Sequence, residues 1–137
     1  MKNRQLAGSS KRGKRPARGR PRLSRVSEET RRLAALIETE AVGWKGVRTR
    51  PMFGMTGLYR GRRIFAVLPR TRAFGASDAI GFRFPNPSRQ VLARMRDDER
   101  IVRAHPDGKW TSFQIMSDID VHAALEWLEL AYRQANK

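Results

Sequence analysis

The residues best suited to chemistry are the cations of the first 25 positions, where Lys11, Arg12, Lys14, Arg15 and Arg25 surround the run Arg18-Gly19-Arg20-Pro21-Arg22. Glycine has no side chain, so the backbone at Gly19 can lie deep in a narrow groove, and Pro21 keeps the chain beside it extended. A narrow A·T minor groove concentrates negative potential and draws arginines into a place where only A·T and G·C pairs are distinguishable. Arg18, Arg20 and Arg22, with Gly19 and Pro21 between them, are therefore expected to read the groove. The other five cations are expected to contact phosphates. Phosphate contact needs only charge, so an RNA or ribosome-associated partner stays open beside DNA.

Elsewhere the chemistry is sparse. A hydrolytic triad needs a nucleophile, a base and an orienter, and the one local set is His105, Asp107 and Ser112 around a Pro-Asp-Gly turn. Such a His more often belongs to a loop. His122 is expected at the edge of a helical apolar stripe. Asp97, Asp98 and Glu99 are adjacent in sequence, so on a helix they do not face one point and are expected to form a solvated end. Cysteine is absent, which removes disulfides, thiolate catalysis and the usual structural zinc sites. Catalysis, metals and cofactors are not expected. Trp44, Trp110 and Trp127 are expected in the core with their N–H groups bonded, although a pocket lined by Tyr59, His105 and Trp110 would favour a small-ligand or enzymatic domain.

Charge is unevenly spread. Residues 1–25 hold ten of the 29 Lys and Arg and none of the 13 acids. With only Leu6 and Leu23 as large apolar residues, that tail cannot bury enough surface to offset its ordering entropy and is expected to be disordered when free. It needs an anionic partner, and lacking an apolar face it suits nucleic acid or an acidic protein better than a membrane. A second basic group, Arg60, Arg62, Arg63, Arg70 and Arg72, surrounds a candidate hairpin. It is either a nucleic-acid-binding wing or a charged edge that deters strand pairing, with Tyr59 and Phe74 as candidate stacking surfaces. No apolar run approaches ~20 residues and no signal-peptide core is present, so a cytoplasmic, nucleoid location is expected.

These groups need elements to place them. Residues 1–26 read as the tail and 27–137 as one folded domain. Ser27 is expected to cap a helix bearing Leu33, Leu36, Ile37 and Ala41, ended near Gly43. Short apolar runs then read as strands: Met52-Phe53, a hairpin over 56–68, and 80–84. Ile64 to Leu68 is apolar throughout and suits a central strand, whereas Ile80, Phe82 and Phe84 alternate with Gly81 and Arg83 and suit a one-sided strand nearer solvent. Ser88 is expected to cap a helix with Val91, Leu92 and Met95. Two strands at 101–102 and 110–116 follow, then a helix opened by Ser117 and Asp120 with Val121, Leu125, Leu128 and Tyr132 on its apolar face. The order predicts an α+β domain whose antiparallel sheet packs against N- and C-terminal helices.

Two resemblances sharpen this. Residues 18–22 resemble the core of the AT-hook, with its Gly-Arg-Pro centre and an arginine on each side. Met52-Phe53-Gly54-Met55-Thr56-Gly57-Leu58-Tyr59-Arg60, followed by Arg63-Ile64-Phe65-Ala66, resembles the opening of the TfoX N-terminal domain. The Trp110 strand and the last helix are similar to the related YjbR/MmcQ-like domains, and 105–113 with Asp120-Val121 is similar to part of a domain called luciferase-like in name only. Met55 stands where the TfoX pattern has a second glycine, and Ala79 to Phe84 replaces its Leu-Tyr-Leu-Lys strand. Over about 30–135 the resemblance implies an α+β domain with a DNA-binding or transcription-regulatory role. The expected protein is thus a non-enzymatic DNA-binding factor with an Arg-rich tail, with a protein partner also open.

Overall fold

A computed structural model describes residues 26–74, 78–104 and 109–135. The tail cations from Lys11 to Arg25, as well as His105 and Asp107, lie outside the described residues. The chain runs α1 (Glu28–Ala41), β1 (Val47–Met52), β2 (Met55–Arg60), β3 (Arg63–Pro69), β4 (Ala79–Arg83), α2 (Arg89–Asp97), β5 (Ile101–Ala104), β6 (Trp110–Gln114) and α3 (Asp118–Gln134). Six strands form one sheet in the order β1-β2-β3-β4-β6-β5, with antiparallel neighbours throughout. The α+β class follows from the sequence as expected.

Local chemistry starts each helix. The Ser27 hydroxyl accepts from the Thr30 N–H at 3.1 Å and the Ser88 hydroxyl from the Val91 N–H at 3.1 Å, each satisfying a backbone donor that has no partner inside its helix. At α3 the Asp120 carboxylate reaches back to the N–H groups of Met116 (2.7 Å) and Ser117 (3.2 Å). Glycines shape both hairpins. Phe53 (φ 52°) and Gly54 (φ 80°) close β1–β2 with the two positive φ values of a type I′ turn, and Gly61 (φ 60°) opens the β2–β3 turn.

One face of the sheet carries the core. Leu58, Phe65, Leu68, Ile80, Phe82 and Phe113 are fully buried against Leu33 and Ile37 of α1 and Trp127 and Leu128 of α3. The helical stripes sit slightly off the expected positions. In α1 it is Ala34 that packs inward, while Leu36 is 46% exposed; in α3 the buried residues are Ala124, Trp127, Leu128 and Ala131, with Val121, Leu125 and Tyr132 flanking them. The small alanines let α1 and α3 approach the sheet and each other. In α2 only Met95 is buried and Leu92 is exposed.

Two strand expectations change. Phe53 lies in a turn and is 78% exposed, so of the apolar pair Met52-Phe53 only Met52, the last residue of β1, belongs to a strand. The strand containing Ile80 and Phe82 is not nearer solvent but lies between β3 and β6 inside the sheet. Its Gly81 is buried because the Phe74 ring lies over it, at 3.0 to 3.4 Å from where a Cβ would stand. A residue from the β3–β4 connection thus covers a position that alternation alone assigns to solvent.

Candidate nucleic-acid interface

Helices occupy one face of the sheet, and the registers fix what stands on the other. Leu58 and Phe82 point to the helices, so Tyr59 and Arg83, their chain neighbours, point away. Cross-strand pairing then puts Arg48 beside Tyr59, Arg50 beside Gly57, and Trp110 beside Arg83. This helix-free face carries two rings that come close to glycines. Tyr59 and Ile64 close over Gly57 with Met52, at 2.9 to 3.4 Å from its absent Cβ, and Phe74 covers Gly81. Phe74 also meets Trp110, ring centroids 5.4 Å apart.

The β1–β2 end of this face is cationic. Arg48, Thr49, Arg50, Tyr59, Gly61 and Arg62 line a depression of about 370 Å³. The Arg50 guanidinium stands 5.7 Å from the Tyr59 ring centre, a loose contact that leaves it free to turn toward an anion. Among the described residues, none of these arginines has a carboxylate within ion-pair distance. From residue 41 to 77 the sequence holds Lys45, Arg48, Arg50, Arg60, Arg62, Arg63, Arg70 and Arg72 and no acid. Among the described residues, every ion pair lies elsewhere: Arg32 with Glu29 and Asp118, Arg100 with Asp98 and Asp120, His122 with Glu126, and Arg133 with Glu129.

The expected site residues divide accordingly. Arg62 joins the depression and Arg63 is exposed beside it. Arg70 and Arg72 are exposed on the connection that follows β3, whose Thr71 and Arg72 N–H groups donate to the Gly54 carbonyl at 2.9 and 3.0 Å. Arg60 is the exception. Its guanidinium donates to the Tyr132 carbonyl at 3.0 Å and lies 4.0 Å from that ring's centre, so it ties β2 to α3 and is a structural residue. Arg48 and Arg50 were not singled out from the sequence. Their i, i+2 spacing in Val47-Arg48-Thr49-Arg50 is the signal that places both on one strand face.

Of the remaining candidates, His105 and Asp107 lie outside the described residues. Ser112 is buried on the interior strand β6. Tyr59 and Trp110 share a face but stand three strand spacings apart, about 14 Å, so they do not line one pocket. Trp110 is half-buried on the helix-free face and does not join the main core, contrary to expectation, whereas Trp127 is buried as expected. Among the described residues, no three His, Cys, Asp or Glu are grouped to hold a metal ion. His122 is exposed in full view of solvent, 3.9 Å from Glu126.

Asp98 is not part of a solvated helix end. It accepts from the Trp127 indole N–H at 3.0 Å and from the Arg100 backbone and guanidinium at 2.9 and 3.0 Å. Burial works against its charge, but the hydrogen bonds from Arg100 and Trp127 outweigh it and hold the carboxyl below the usual aspartate range. The depression of about 580 Å³ beside it is lined by Arg94, Asp98, Arg100 and Trp127, which engage one another, and by the exposed Asp97 and Glu99.

The fold and the face define an α+β domain with helices on one side of an antiparallel sheet and an arginine-rich, aromatic surface on the other. Comparison of the chain with protein-family models, curated proteins and solved structures finds no match. Among the described residues, no helix is long and apolar enough to cross a membrane.

Proposed function

We propose that this protein binds DNA without catalysing a reaction, as a nucleoid-associated or transcription-regulating factor. Residues 1–26 supply most of the affinity: Arg18, Arg20 and Arg22 enter the minor groove, Gly19 and Pro21 shape the backbone, and Lys11, Arg12, Lys14, Arg15 and Arg25 meet phosphates. The folded domain adds Arg62 and Arg63, together with Arg48 and Arg50. The resemblance to the TfoX N-terminal domain agrees with a regulatory role.

The observation that carries this reading is the acid-free run from 41 to 77, whose exposed arginines form no ion pair among the described residues. Clustered like charges with no internal partner destabilise a compact domain by repulsion and raise the local concentration of a polyanion. The tail carries the same sign.

Gly19→Ala and Arg20→Ala in the full chain, titrated against A·T-rich and G·C-rich duplexes at several salt concentrations, test it. Groove insertion predicts that Gly19→Ala weakens A·T-rich binding with no change in charge, because a methyl group obstructs close backbone approach. Arg20→Ala should weaken both duplexes, A·T-rich more, and lower the salt slope by about one unit. Equal binding of Gly19→Ala and wild type to both duplexes would reduce the tail to a polycation. Absence of duplex binding by the full chain would end the DNA reading.

A further inference from the structure

We propose that the depression formed by Arg48, Arg50, Tyr59 and Arg62 binds an unpaired base and its flanking phosphates, making the helix-free sheet face a site for single-stranded nucleic acid. This deepens the nucleic-acid reading above and rests on it.

The argument begins at Gly57. A Cβ there would stand 2.9 Å from the Met52 sulfur and 3.1 Å from Cε1 of Tyr59, so the glycine leaves room for the edge of the Tyr59 ring to come close to the sheet. Tyr59 is only half-buried, and the Arg50 guanidinium stands loosely over its ring at 5.7 Å from the centre. A base stacks on such a surface without regard to its identity, since every base has a π-face.

The surrounding groups match the rest of a nucleotide. Arg48 stands opposite Tyr59 in the β1–β2 register, Arg50 opposite Gly57, and Arg62 in the turn beyond Arg60, so three guanidiniums border the ring. Guanidiniums bind phosphate through paired N–H donors, and none of these three has a carboxylate partner among the described residues. A depression of about 370 Å³ falls within the range of small-ligand sites. Duplex DNA does not meet this requirement, because its bases are stacked on each other and unavailable to Tyr59.

The decisive measurement uses the full chain with 12-nucleotide oligo(dT) and oligo(U), each also carrying 5-iodo-pyrimidine for photo-crosslinking, beside an A·T-rich duplex. Adducts on Tyr59 are expected. Tyr59→Leu should weaken single-strand binding about ten-fold or more while leaving duplex binding in place, and Tyr59→Phe, which keeps the ring, should bind as wild type does. Arg48→Gln/Arg50→Gln/Arg62→Gln, all at exposed positions, should lower the single-strand salt slope by about two units. Preference between oligo(dT) and oligo(U) tells DNA from RNA. Unchanged single-strand binding by the triple-arginine variant overturns the proposal, even if Tyr59→Leu fails to fold. So do adducts confined to residues 1–25. Duplex binding lost while Tyr59-dependent single-strand binding persists would refute the minor-groove reading alone.

Discussion

Replacing Asp98 with asparagine should cost stability that depends on pH in a specific direction. The substitution keeps shape and an oxygen for the Trp127 N–H, but removes the charge that holds Arg100, whose Nε lies 3.0 Å away. A hydrogen bond to a charged group contributes about 1.5–3 kcal/mol. The Asp98 side chain is 12% exposed and that of Arg100 36%, so solvent screens the pair in part and about 1.5–2 kcal/mol is expected. Because the carboxyl sits below the usual aspartate range in the fold, its contribution is complete above the unfolded pKa of about 3.9 and disappears as pH falls through the lower folded value. Urea unfolding of wild type and Asp98→Asn at a series of pH values reads this directly. The difference should hold from pH 7 to about 5 and shrink steadily toward pH 2. A difference that stays constant into strong acid would mean that Asp98 does not act through its charge, and would refute the argument.

Three further outcomes follow from the same geometry. Trp127→Ala should cost about 3–5 kcal/mol in chemical unfolding, whereas Trp110→Ala, half-exposed over Phe74, should cost about 1–2 kcal/mol; equal losses would place Trp110 in the core. Phe53→Asn should stabilise the domain by about 0.5 kcal/mol, since φ 52° suits asparagine and an exposed ring loses little burial, and a drop in melting temperature would show that the ring packs on something. Removing residues 1–26 should leave a cooperative thermal transition, and its loss would make the tail part of the fold.

Much of the fold was legible because its signals are local. Ser27 and Ser88 cap where a hydroxyl precedes a helical pattern, and the hairpin over 56–68 is written in Gly61 between two strand-like runs. What stayed hidden depends on distant residues. Gly81 reads as solvent-facing until Phe74 folds over it, and Arg60 reads as a free cation until Tyr132, 72 positions away, accepts its hydrogen bond. Asp98 likewise needed Trp127 to become a hub. Leu36 lies at the border of the buried stripe of Leu33, Ala34, Ile37 and Ala41, where the rotation of α1 on the sheet, not the spacing of its leucines, decides burial.

The arginines themselves separate structure from function by their partners. Arg32, Arg100 and Arg133 are matched with carboxylates at 2.7 to 3.0 Å, and these pairs lie on or between the helices and the β5 end of the sheet. Across β1, β2, β3 and their connections no acid is available in sequence, and Arg60 finds a backbone acceptor and a ring in α3. Edge protection accounts for arginines on β1, an outer strand, but not for those on the turn at Arg62 or the connection at Arg70 and Arg72, which border no open strand edge. The arginines of β1 and of the β2–β3 turn have no carboxylate partner among the described residues, so their charge is left to be neutralised from outside, and Tyr59 beside them offers a base an aromatic surface next to the cations that would meet its phosphates.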